Sequence, residues 1–347
     1  MCGRWDEKET ERICLHIFCG DKKREKIFEN FRSIVDKRRR ILYNNGKSKK
    51  GEIVVSEEKK KRRDIIEIIV IIVLCAIMAV LDFLPIKYTS DEVKNGLISD
   101  TVPLIIGTVA VIWLMIRGKT GLFGRPTKLW FLIPCLLVAV DNFPFPSYFA
   151  GKSQLLYTDV DKWLWFAGFC IFVGVFEECV FRGIVFPLLA GCFSSDKKGL
   201  IKTFFISSVI FGGMHLFNIF AGAGIGPTLL QVGYSTLIGG LCAFALMKTK
   251  NILFPAFVHG LYDFCGLMLP KLGSGAIFDT PTVILMAVVG ISVGIFVLYS
   301  VWRYPEEERI ELYKRLGFGI KVLPEQKKSV SVQTDRIPVL QSVTFSH

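Results

Sequence analysis

The chain has 347 residues, 51% of them hydrophobic, a formal net charge of +12 and a mean hydropathy of +0.45. Residues 1–63 alone hold 20 Lys/Arg against 11 Asp/Glu, or +9 of that charge, while apolar runs recur from Ile65 to Trp302. This division excludes an ordinary soluble domain, and the basic balance calls for a topological explanation before a nucleic-acid one.

In chain order, the charged start MCGRWDEKETER predicts no cleavable signal peptide. Cys2, Cys14, His16 and Cys19 match no strong zinc spacing, and the cysteines read as unpaired thiols in a reducing cytosol. Most of the other cysteines lie in or beside apolar runs, where Cys acts as a small hydrophobe. Ile27, Phe28, Phe31, Ile34, Val35, Ile41 and Leu42 recur at helical spacing around Lys37–Arg40. That pattern fits a basic amphipathic helix on an anionic lipid surface, with residues 22–63 as the contact, and it equally fits a solvated helix. Asn44-Asn45-Gly46 ends it, and 46–63 reads as a charged linker.

About 20 apolar residues at 1.5 Å each cross about 30 Å of hydrocarbon. Eight candidate spans follow: 65–86, 101–116, 129–144, 163–186, 201–220, 228–247, 251–269 and 281–302. The expected fold is all-α and polytopic, about eight transmembrane helices enclosing a polar cavity. Basic residues fall in alternate loops: Arg117, Lys119, Arg125 and Lys128; then Lys197, Lys198 and Lys202; then Lys248 and Lys250. Such enrichment marks the cytoplasmic side, so both termini are expected there. The domain reading is a basic extension (1–63), a membrane domain (64–302) and a cytoplasmic tail (303–347). The tail opens with the charged helical pattern EEERIELYKRL.

Ionisable residues inside spans cost about 2.5–3.5 kcal/mol each on insertion scales, so they are functional candidates by default. The span at 163–186 carries Glu177, Glu178 and Arg182; the next carries His215 and Asn218; the seventh carries His259 and Asp263. At about 100° per residue Glu177 and Glu178 cannot point the same way. Glu178 and Arg182 are i,i+4 neighbours able to pair, as are His259 and Asp263. One cavity could thus receive Glu177, His215, His259 and Asp263, with the Glu178–Arg182 ion pair holding its helix in place.

EECVFR (177–182), FGGMH (211–215) and HGLYD (259–263) resemble the three motifs of the CPBP family, EExxxR, FxxxH and Hxxx followed by Asn or Asp. That family comprises the type II CAAX prenyl endopeptidases and bacterial relatives that include bacteriocin-immunity proteins. The likeness spans about residues 160–270 and leaves 1–63 uninterpreted. It implies an intramembrane protease that cleaves near the C-terminus of a membrane-associated peptide or protein substrate, here in a bacterial cell membrane. Carried over, Glu177 takes a proton from water with help from His215, while His259 and Asp263 stabilise the oxyanion. Asp263 stands where the eukaryotic enzymes carry Asn, and a carboxylate donates only when protonated. A metal-free glutamate mechanism is favoured; the alternative is Zn2+ held by Glu177, His215 and His259. Rival readings are a non-catalytic immunity or scaffold protein that binds peptide, and a proton-coupled transporter using the Glu/His cluster. Positive-inside topology accounts for most of the basic charge, and no nucleic-acid partner is expected.

Overall fold

The computed structural model describes residues 86–220 and 222–317, and within them the fold is almost wholly helical. Helix α1 (Glu92–Arg117) starts behind Asp91, whose carboxylate accepts from the Lys94 N–H at 3.0 Å and so satisfies a first-turn donor. It therefore begins at Glu92 rather than at 101, through residues too polar to count as a span. Two of those charges are paired, Lys94 with Asp161 at 2.7 Å and Asp100 with Lys271 at 2.8 Å. Pro103 removes one backbone donor without ending the helix.

A 3₁₀ turn (Leu129–Phe131) leads into α2 (Leu132–Asp141), followed by the short α3 (Phe145–Phe149). Helix α4 (Val160–Val180) continues through a π-turn (Phe181–Val185) into α5 (Phe186–Cys192). Pro187 explains the widening: it offers no N–H to the Gly183 carbonyl and its ring crowds that carbonyl. Helix α6 (Lys197–Met214) runs into a second 3₁₀ turn (His215–Ile219). Then come α7 (Ile225–Thr249), α8 (Leu253–Leu272), α9 (Thr280–Trp302) and α10 (Glu306–Leu316). The apolar pattern predicts no strands, but β1 (Ser153–Leu155) and β2 (Gly273–Gly275) form a small antiparallel ladder with Ser153 opposite Gly275.

Among the described residues six helical stretches are long and apolar enough to cross a membrane: α1, α4–α5, α6 with its 3₁₀ turn, α7, α8 and α9. The chain is an integral membrane protein. The expected eight spans are not reached among the described residues. Candidate 65–86 lies outside them apart from Ile86, as do the amphipathic segment, the Cys2–Cys19 cluster and the tail beyond 317. Leu129–Asp141 belongs to the 10–17 residue class, which at 1.5 Å per residue reaches about 15–26 Å, short of about 30 Å.

Helix α7 is central, because Ala243–Thr249 are buried on every side, as expected of a helix apolar all round. Helix α4 lies against α1 and α8, and α6 lies against α7. Two glycine contacts set these distances. A Cβ on Gly174 would come within 2.5 Å of the Ala256 carbonyl and 2.7 Å of the Gly260 nitrogen, so α4 and α8 touch backbone to backbone. A Cβ on Gly212 would sit 2.7 Å from the Val232 carbonyl, which fixes α6 on α7 in the same way. Helix α9 instead turns Ile284, Ile291, Ile295 and Trp302 outward, as suits contact with lipid.

Helix α10 buries Leu312, Tyr313 and Leu316, and its Glu308 pairs with Lys128 and, at 3.3 Å, with Lys248. Lys248 is therefore no exposed loop residue. It lies in the last turn of α7, buried, with its ammonium 4.3 Å from the Phe131 ring and 4.7 Å from the Tyr304 ring. The apolar stem packs while the head keeps an anion and two π faces.

Candidate active site

The Gly174–Gly260 contact brings the end of α4 against the middle of α8, and the polar residues meet within one turn of it. His259 is the hub. Its Nδ1 lies 2.9 Å from Glu178 Oε1, and the same oxygen accepts from Arg182 Nη1 at 2.8 Å. The other terminal nitrogen of Arg182 donates to the Gly239 carbonyl of α7 at 2.5 Å, and the guanidinium lies 4.5 Å from the Phe211 ring. Glu178 and Arg182 side chains are 0% and 1% exposed.

At the opposite edge of the ring, His259 Nε2 lies 3.4 Å from Asp263 Oδ2 and 3.8 Å from Glu177 Oε2. These side chains are less enclosed: Glu177 is 27% and Asp263 17% exposed, against 6% for His259. Ionised carboxylates only accept, so carboxylate oxygens at both edges are best satisfied when both ring nitrogens carry hydrogen. Glu177 and Glu178 do diverge, as helical geometry requires, but they diverge around one imidazole. Each reaches a different nitrogen of His259. Glu178 therefore does more than neutralise Arg182, since it also holds the histidine.

His215 stands apart from this group. Its ring lies 5.8 Å from Phe211, and Phe211 in turn lies 5.6 Å from His259, both edge-on. Its Nδ1 is 3.2 Å from Gln231 Nε2 on α7, and Gln231 Oε1 accepts from Asn218 Nδ2 at 2.8 Å. Among the described residues no hydrogen bond joins His215 to Glu177, His259 or Asp263. Sequence reasoning names Asn218, and Gly239 only as a glycine of close helix approach; it misses Gln231 and the Gly239 carbonyl. A signal for Gln231 existed, because it is the one side-chain amide in 225–247; a search restricted to ionisable groups passes over it. Gly239 acts through its carbonyl, which leaves no mark in the sequence.

The ligand atoms of Glu177, His215 and His259, the set that zinc would need, do not converge among the described residues. The group that does converge, within 4.8 Å, is Glu178, Cys242 and His259, all buried. It fits a divalent cation poorly. Glu178 Oε1 already meets two nitrogen donors, and the Arg182 guanidinium beside it would repel a cation. Cys242 Sγ faces the Pro255 carbonyl at 3.8 Å. Glu178 Oε2, buried and without a hydrogen-bond partner among the described residues, would supply one ligand only.

Residues 159–265 match the family model described as Type II CAAX prenyl endopeptidase Rce1-like. The matched segment runs from the start of α4 into α8 and contains every residue of the group above. No curated protein and no solved structure matches the chain.

Proposed function

We propose, from that similarity and from the geometry around His259, that the protein is an intramembrane endopeptidase of the CAAX type. Its substrate would be a membrane-associated peptide or protein cut near the C-terminus. The observation that carries the reading is the grip on His259. One nitrogen is anchored by a fully buried carboxylate–guanidinium pair, and the other faces the two partly exposed carboxylates, Glu177 and Asp263. A buried ring fixed through Nδ1, with Nε2 turned to the less enclosed side, is a preorganised donor, and preorganised donors are what a developing oxyanion needs.

In this reading Glu177 takes a proton from water while the water oxygen attacks the scissile carbonyl carbon. The C–O bond forms, the carbonyl π pair moves onto oxygen, and the oxyanion accepts from His259 Nε2–H. Collapse breaks the C–N bond, and the leaving nitrogen takes the proton from Glu177, giving an acid and an amine. Asp263 lies at the same nitrogen; it donates to the oxyanion when protonated and otherwise orients His259. Residues 22–63 would rest on anionic lipid, and both termini would lie in the cytoplasm.

The test compares peptides of membranes carrying the active protein with those carrying Glu177→Ala. C-terminal fragments should appear only with the former; identical peptide pools would sink the reading.

A further inference from the structure

His215 follows α6 on a 3₁₀ turn, flanked by the exposed Met214 and Leu216. The α-helix no longer sets its direction there. Two contacts hold the ring, the edge of Phe211 and the amide of Gln231. Asn218 lies on the same 3₁₀ turn, and its Nδ2 donates to Gln231 Oε1. The three side chains thus close a loop between that turn and α7. Gln231 faces the ring with its Nε2, and an NH2 group only donates. Nδ1 of His215 must then accept, and in the neutral ring the hydrogen resides on Nε2.

We propose that Gln231, backed by Asn218, is a positioning residue that fixes His215 in the Nε2–H tautomer. His215 is then a hydrogen-bond donor towards a water or substrate oxygen, and Glu177 is left as the sole base. The catalytic half of this statement rests on the peptidase reading; the tautomer half does not. The alternative is specific. If both amides are turned over, the same side chains stay bonded with donor and acceptor exchanged: Gln231 presents its oxygen, Nδ1 carries the hydrogen and Nε2 becomes a base. The direction of the relay therefore chooses between donor and base.

Two isosteric variants force that reversal. Asn218→Asp can only accept, so Gln231 must turn its NH2 towards residue 218 and its oxygen towards His215. Gln231→Glu presents an acceptor directly. The chain has four histidines, so 15N-histidine labelling in detergent micelles, assigned with His215→Gln, resolves the ring nitrogens of His215. The wild type should show a pyridine-like Nδ1, and both variants should shift hydrogen to Nδ1. For a metal-ligating histidine, changing the outer partner that orients the ring costs about 10–100-fold, and the same scale is taken for this ring. Turnover per folded molecule on a verified substrate should therefore fall by about that factor in kcat with KM little changed.

Wild-type protein with hydrogen on Nδ1 of His215 overturns the proposal. So do variants whose tautomer reverses while kcat stays at the wild-type value. A wild-type protein that cleaves nothing but shows the Nε2–H tautomer refutes the peptidase reading and the catalytic half with it, while upholding the relay.

Discussion

Replacing Glu178 by glutamine removes one charge from a buried group of three while leaving its shape. Its Oε1 accepts from Arg182 at 2.8 Å and from His259 at 2.9 Å, and neither member of the ion pair is accessible to solvent. Deleting one partner of a buried pair costs about 3–5 kcal/mol, because the other charge remains buried and uncompensated. At about 1.4 kcal/mol per factor of ten, the ratio of folded to unfolded protein falls by roughly 10² to 10⁴. Replacing Glu178 and Arg182 together by leucine removes the lone charge. It still leaves His259 Nδ1 without its partner, at about 1–3 kcal/mol for a buried unsatisfied group, whereas the Gly239 carbonyl lies inside α7 and keeps its helical N–H. The double variant should therefore melt above Glu178→Gln yet below wild type. It should stay inactive per folded molecule, since His259 is no longer held. Thermal unfolding of purified protein in one detergent, with turnover normalised to folded protein, tests both halves. A Glu178→Gln protein with wild-type melting, or a double variant as unstable as the single one, refutes the argument.

Glu177→Gln should behave in the opposite way. Its carboxylate is partly exposed and 3.8 Å from His259, so the variant should fold and insert normally while turnover drops by orders of magnitude. A destabilised Glu177→Gln beside a stable, inactive Glu178→Gln would mean that the two roles are reversed. Glu308 gives a pH dependence. Burial alone would raise its carboxyl, but Lys128 and Lys248 outweigh that and hold it below its ordinary 4.5. A depressed carboxylate adds stability above its unfolded value and loses it as pH falls through the folded one. Acid titration of the melting temperature should show a loss beginning below about pH 4.5 that Glu308→Gln flattens; equal slopes in the two proteins would rule out this contribution. Elemental analysis should find no stoichiometric zinc. About one ion per chain, lost in both His215→Ala and His259→Ala, would move the mechanism to a Lewis acid. Cysteine labelling at positions 152 and 197, which lie on either side of the α4–α5 stretch, should place these residues on opposite faces of the membrane; labelling of both from outside contradicts the topology.

What the residues alone could reveal was whatever depends on a single helix. Apolar length marked the membrane-crossing helices, and i,i+4 spacing marked Glu178 with Arg182 and His259 with Asp263. Boundaries were less legible, because charge was read as the end of a span. Helix α1 extends back to Glu92 since Lys94 and Asp100 find partners on α4 and α8. Lys248 stays within α7 because Glu308, distant in the chain, folds back to meet it. No local pattern announces a partner supplied by another helix.

The same limit explains the site. The pairing of Glu178 with His259 depends on how close α4 comes to α8, and that is set by two glycines whose sequence signal is only the lack of a side chain. Once those backbones touch, the adjacency of the two glutamates acquires a physical reason. Neighbouring helical residues point about 100° apart, so a helix lying beside an imidazole can send one carboxylate to each nitrogen from consecutive positions. A spacing of three or four would put both carboxylates on one face and leave one edge of the ring unheld. The consecutive pair lets a single turn of α4 hold His259 through one nitrogen and place a carboxylate near the other: Glu178 in the dry interior, beside its arginine, and Glu177 3.8 Å away at the edge that water can reach.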